Sequence, residues 1–191
     1  MKRISIIILS AVFFTAVSLV PASAQRTYKG QSYVNLTGFY NLSGPGLNAE
    51  FGGYLISSLW GAEVTASQNI VTESSSGEKA SFLDVTGGGK WQYRLLKTRS
   101  RNVNLYGGGD AFLGVQMLDP FKTLTQPTRT ALLNGGYSET KFIFGFGLDL
   151  SLEMFVMTRL CILADVRVPF TFLSMYQVPG LELGVGIRYN L

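Results

Sequence analysis

The chain predicts an all-β fold, an eight-stranded antiparallel transmembrane β-barrel of outer-membrane type, and three observations carry that prediction. Apolar and polar residues alternate through eight separate stretches, the period of a strand with two unlike faces. Ionisable side chains collect on one parity of these stretches, and the other parity is nearly free of charge. Aromatic residues gather at the ends of the charge-free parity, like the girdles that flank the apolar band of an outer-membrane barrel. A closed barrel is the sheet that can cross lipid, because closure leaves no unpaired edge.

The N-terminus reads as a signal peptide over residues 1–24. Met1-Lys2-Arg3 is a positive head, ISIIILSAVFFTAVSLV an apolar stretch, and Ala22-Ser23-Ala24 a small-x-small cleavage site before Gln25. The remainder, 25–191, is expected to form one barrel domain. Removal of Lys2 and Arg3 lowers the 16 basic side chains to 14 against 12 acidic ones. That balance, without any basic cluster, gives no case for direct nucleic-acid binding.

The first strand is expected at about 32–42, with Val34, Leu36 and Tyr40 on its apolar face. SGPG makes a tight turn into the second, at 46–56, which presents Leu47, Ala49, Phe51 and Leu55. A short SS link leads to the third, at 59–69, with Trp60, Ala62, Val64 and Ala66. The polar VTESSSGEKA, expected as a solvated loop, separates it from the fourth at 81–94, with Leu83, Val85, Trp91 and Tyr93. The fifth, at 102–117, carries Val103, Leu105, Ala111, Leu113 and Val115. The longest link, LDPFKTLTQPTRTALLNGGYSE, precedes the sixth at 140–151, with Phe142, Phe144, Phe146, Leu148 and Leu150. The seventh spans 158–172, with Leu160, Ile162, Val166, Val168, Phe170 and Phe172. The eighth, GLELGVGIRYNL at 180–191, sets Leu181, Leu183, Val185, Ile187, Tyr189 and Leu191 opposite Glu182, Arg188 and Asn190. With a periplasmic N-terminus the two longest links both face outward, as barrels prefer.

The opposite parity holds Glu50, Glu63, Asp84, Asp110, Asp149, Asp165 and Glu182, with Lys90, Arg94, Lys141, Arg159, Arg167 and Arg188. An eight-stranded interior is about wide enough to be filled by side chains. The expectation is therefore a lumenal charge network, centred on Asp165, Arg167, Arg188, Glu182, Asp84 and Lys90, and a plugged barrel with no conducting pore. Gly87-Gly88-Gly89 and Gly107-Gly108-Gly109 read as bending and close packing, and neither Gly145-Phe146-Gly147 nor Gly184-Val185-Gly186 opens a helix as a dinucleotide motif would.

Catalysis finds little support. The chain has no histidine, which removes Ser-His-Asp and Cys-His chemistry and histidine-ligated metals. Its one cysteine, Cys161, shares the lumenal parity and reads as an inert thiol. No catalytic, cofactor-binding or metal-binding residues are expected, and the protein reads as a non-enzyme. A lipid enzyme using a Ser or Asp site remains an alternative class. The long fifth-to-sixth link offers a partner loop through Phe121, Lys122 and Arg129 between its prolines. The closing Gly186-Ile187-Arg188-Tyr189-Asn190-Leu191 resembles the terminal signal read by barrel-assembly machinery, so Tyr189 and Leu191 are expected to meet that partner. Outer-membrane lipid is the other expected partner.

AQR after the signal, NVNLYGGGDAFLGVQ, and FIFGFGLDLSLEMFVMTRLCILADVRVPF leading to GVGIRYNL resemble the TraO proteins of Bacteroides-type conjugative transposons. The resemblance implies a Leu-Glu-x-aromatic turn at Leu152-Glu153-Met154-Phe155. It implies a component of a conjugative DNA-transfer apparatus in the outer membrane of a Gram-negative bacterium, an anchor or scaffold beside other conjugative-transfer proteins. The alternative is a general small outer-membrane barrel for adhesion or envelope integrity.

Overall fold

The computed structural model describes residues 29–72, 79–97, 103–121, 124, 126–134, 136–176 and 180–191. The expected signal peptide, 1–24, lies outside the described residues. Eight strands follow the chain: β1 (Ser32–Asn41), β2 (Gly44–Tyr54), β3 (Ser58–Thr72), β4 (Lys79–Lys97), β5 (Val103–Leu118), β6 (Thr140–Phe155), β7 (Leu160–Phe172) and β8 (Glu182–Asn190). Each pairs antiparallel with its neighbour, and β8 returns to β1, which closes the barrel. The protein is an eight-stranded transmembrane β-barrel of outer-membrane type.

Alternation decides which face is which. Glu50, Glu63 and Asp110 are buried, and Phe51, Val64 and Leu113 are exposed, the reverse of a soluble sandwich. The lower end, where β1 begins and β8 ends, is ringed by exposed Trp60, Trp91, Tyr93 and Tyr189. Tyr40, Phe142, Phe170 and Phe172 are exposed near the upper end, and Phe146 stacks on Phe170 at 5.0 Å between ring centres. Both girdles lie where the sequence predicts them.

Four differences from the sequence expectation have physical causes. The β3–β4 ladder continues through Ile70↔Ser81, Val71↔Ala80 and Thr72↔Lys79, into what reads as a polar loop, because Ala80 and Phe82 are buried on its inner side. The first hairpin turn is tighter, since the Asn41 side-chain oxygen accepts from the backbone N–H of Ser43 and of Gly44 at 2.8 and 2.7 Å. Leu152–Phe155 is no turn: β6 runs to Phe155, pairing with Cys161, and keeps Ser151, Glu153 and Phe155 inside. The chain reverses over 156–159, where the backbone N–H groups of Val156 and Met157 donate to the carbonyl of Leu160 at 3.0 and 3.2 Å.

The fourth difference is a helix, α1 (Gln126–Asn134), inside the longest link. Proline in a first helical turn removes only an N–H that has no intrahelical acceptor. Just beyond the helix stands Gly136, whose φ of 99° is open to glycine, and whose N–H donates to the Leu133 carbonyl at 3.2 Å. Leu132 is buried with Ala80, Phe82 and Leu118. Tyr137 and Tyr176 pack on Phe82 at 5.8 and 5.0 Å between ring centres. A small apolar core thus caps part of the upper mouth.

Candidate functional site

The inward parity of the strands builds a polar column through the barrel, in three levels. At the lower level β8 carries Arg188, only 1% exposed. Its guanidinium lies 4.1 Å over the Tyr33 ring and 5.8 Å from that of Tyr54. It donates to Glu153 at 3.3 Å. The same carboxylate accepts from the Tyr54 hydroxyl and from Asn104 at 3.2 Å. Tyr33, Tyr54, Leu59 and Tyr106 form a buried cluster around it. Together they make a floor.

The middle level joins charged residues directly. Lys90 lies 3.5 Å from Glu50 and 3.9 Å from Glu63. Arg167 grips Asp110 through two nitrogens, with Glu182 at 3.4 Å and Glu63 at 3.5 Å. Its guanidinium also sits 5.1 Å from the Phe112 ring centre. Asn35 and Asn48 donate to Glu50 and Glu63 at 3.1 and 3.0 Å, so the carboxylates have further partners, as buried charges require. Glu63 thus bridges the Lys90 and Arg167 groups. A small cavity of about 40 Å³ beside them is lined by Asp149, Ser151 and Asp165, among others.

Glycine makes this crowding possible. A Cβ at Gly147 would meet the Asp110 carboxylate and come within 3.0 Å of Arg167 Nε, and one at Gly61 would strike Glu50. Gly147→Ala is expected to cost about 1–3 kcal/mol by overpacking, read as a lower urea midpoint for the folded band on unheated gels. An unchanged midpoint would show that the ion pair gives way freely.

At the upper level the lumen opens into a cleft of about 470 Å³. Asp84 accepts from Asn69 at 3.0 Å, from Gln116 at 2.9 Å and from the Tyr176 hydroxyl at 2.7 Å. Tyr176 lies in the β7–β8 link, where burial, with the Asp84 charge adding to it, raises its hydroxyl above the ordinary phenol range. It remains a proton donor at neutral pH.

Of the expected network, Lys90, Arg167 and Glu182 meet in the middle level, Arg188 lies in the floor, and Asp84 lies in the cleft. The expected inward set of seven acids and six bases is corrected. Asp165 accepts from the Thr37 hydroxyl at 3.4 Å, while its strand neighbour Arg167 is occupied by Asp110, Glu63 and Glu182. Arg159 is exposed in the β6–β7 turn, and Arg94 donates to the Ile56 carbonyl at the lower rim. Among the described residues, Glu50, Glu63, Asp84, Asp110, Asp149, Glu153, Asp165 and Glu182 therefore face inward, with Lys90, Arg167 and Arg188 as the cations bonded among them. Lys141 is half-buried near the upper end of β6.

In the expected partner loop, Phe121 is 64% exposed and Lys122 lies outside the described residues. Arg129 sits on α1 and donates to Glu139 at 2.7 Å. Glu153 escaped the sequence reading although it continues the inward parity of Asp149 and Ser151. Cys161 is buried and accepts from Asn190 at 3.5 Å. Among the described residues no three His, Cys, Asp or Glu side chains converge as a metal ion would require.

Several solved outer-membrane barrels share this architecture. Neisserial surface protein A is 16% identical over 87% of this chain and 100% of that one, with a TM-score of 0.59. A major outer membrane protein from Thermus thermophilus is 12% identical over 86% and 100%, with a TM-score of 0.57. OprG from Pseudomonas aeruginosa is 14% identical over 88% and 99%, with a TM-score of 0.54. At these identities the likeness is one of fold. No curated protein matches the chain. The family described as conjugative transposon protein TraO matches residues 59–191, from the start of β3 to the last residue, and the chain belongs to that family and to conjugative transfer.

Proposed function

We propose that this protein is a non-enzymatic component of the conjugative DNA-transfer apparatus, held in the outer membrane as an anchor or scaffold. The observation that carries this reading is the filled lumen. The Arg188 floor and the Lys90–Glu63–Arg167 bridge occupy the barrel at two heights, so its useful surfaces are its ends and its outside. The paired girdles and lipid-facing apolar band support an outer-membrane location after removal of residues 1–24. The lower end then faces the periplasm and the upper cap the exterior. Tyr189 and Leu191, both exposed, are available to barrel-assembly machinery. The upper cap, with Phe121 standing clear of it, is the surface offered to other transfer proteins, and contact with nucleic acid has no part in the proposal.

Mating efficiency tests it. Residues 123–133 are replaced by a short Gly-Ser linker, and in a second variant Phe121→Asp alters the exposed surface alone. Both are expected to give a folded barrel in the outer-membrane fraction, with its unheated gel mobility kept, and transfer falling by orders of magnitude. Asp165→Asn is expected to transfer normally. Normal transfer by both loop variants, together with loss in a folded Asp165→Asn barrel, would transfer the function to the lumen and end the scaffold reading.

A further inference from the structure

The upper cleft has a mixed lining, in which Phe112, Ile143, Phe146 and Phe170 stand beside a polar set. Asn41, Ser67, Asn69, Asp84 and Tyr176 present amide, hydroxyl and carboxylate groups to it, and its volume falls in the range of small-ligand sites. Its charge is one-sided. Arg167, the guanidinium in its lining, is taken up by Asp110, Glu182 and Glu63. The partners of Asp84 are Asn69, Gln116 and Tyr176, all neutral. They fill three of roughly four acceptor positions of a carboxylate, and among the described residues no cation is bonded to it. Beneath the cleft, carboxylates outnumber the bonded cations, and a low-dielectric wall focuses such a field on the opening. An anion is repelled there. A cation that also offers hydrogen-bonding groups matches both the charge and the polar part of the lining.

We infer that this cleft binds the primary ammonium of a small hydrogen-bonding amine, with the ammonium against Asp84 and hydroxyl or amine groups along Ser67, Asn69 and Asn41. Two sources share that chemistry: an amino-sugar unit of a surface polysaccharide and a free aliphatic diamine. The inference concerns the cleft and stands whether or not the barrel acts as a scaffold.

The test uses the full mature barrel in detergent micelles below neutral pH, with amide shifts of Ser67 and Asn69 followed by NMR. D-glucosamine, D-glucose and D-glucuronate share one ring and differ in charge, and putrescine carries amines without the ring. Glucosamine is expected to give saturable shifts at least about tenfold tighter than glucose, and glucuronate none. Putrescine binding as tightly as glucosamine identifies the free amine as source, and weaker binding identifies the sugar. Asp84→Asn, checked for folding by unheated gel mobility, is expected to erase the difference between glucosamine and glucose. Ser174→Trp, which fills the cleft from the β7–β8 link, is expected to abolish binding. Equal binding of glucose and glucosamine, preference for glucuronate, no saturable shift with any probe, or binding that survives both substitutions would each overturn the inference.

Discussion

Glu153→Ala is expected to be the most damaging single substitution in the lumen, lowering folding stability by about 3–5 kcal/mol. The cost does not come from the lost bond alone. Arg188 is 1% exposed and packed on Tyr33, so removing its carboxylate strands a guanidinium where water has little access. Two of its nitrogens, Nε and Nη2, already lack a partner among the described residues, and the Tyr54 hydroxyl and Asn104 would lose their shared acceptor too. Asp165→Asn provides the comparison. Asp165 accepts from Thr37 at 3.4 Å and is half-buried, so its loss is expected to cost below about 1 kcal/mol. Urea unfolding from lipid vesicles, followed by fluorescence of Trp60 and Trp91, ranks the two. If Asp165→Asn proves the more damaging, the floor does not hold the barrel together as described.

Leu148→Arg is the second large effect, at about 2–4 kcal/mol for a basic residue near the bilayer midplane of a barrel. Leu148 is 58% exposed, lies mid-strand in β6, and pairs with Val168 and Gly109 on neighbouring strands. Its loss matters because exposure here means lipid, where a guanidinium loses its hydration. The same residue placed at Ser138, in the link before β6, is expected to change little. The same assay compares them, and equal effects at the two positions would mean that the apolar parity does not meet lipid.

All eight strands could be read from the chain because the two sides of this wall meet opposite solvents, and alternation therefore reports directly on the fold. What escaped lies where that signal stops or changes meaning. α1 hides in a proline-bearing link, and its burial comes from Phe82 and Tyr176, far away in sequence. The Leu152–Phe155 segment looks like a turn once β6 is ended at Ser151, although the inward parity runs on through Glu153. Parity also places side chains on a face without pairing them. It sends Asp165 inward beside Arg167, but strand stagger and the bare surface of Gly147 decide that Arg167 reaches Asp110. Arg159 falls on the right parity and still leaves the interior, and Arg94, half-buried at the lower rim, turns to the Ile56 carbonyl, because long basic side chains at a strand end reach water or backbone carbonyls.

Arg188 gives the barrel a means of checking its own closure. β8 is the last strand to be added in sequence, and it must fit against β7 on one side and β1 on the other. A slip of one residue would exchange its two faces. The guanidinium would then point into hydrocarbon, and Glu153 would be left inside without a cation. Both penalties fall on the same error, so the wrong seam is rejected twice and the right one is recognised by a single residue. Proofreading of the final join is thus written into the strand that makes it.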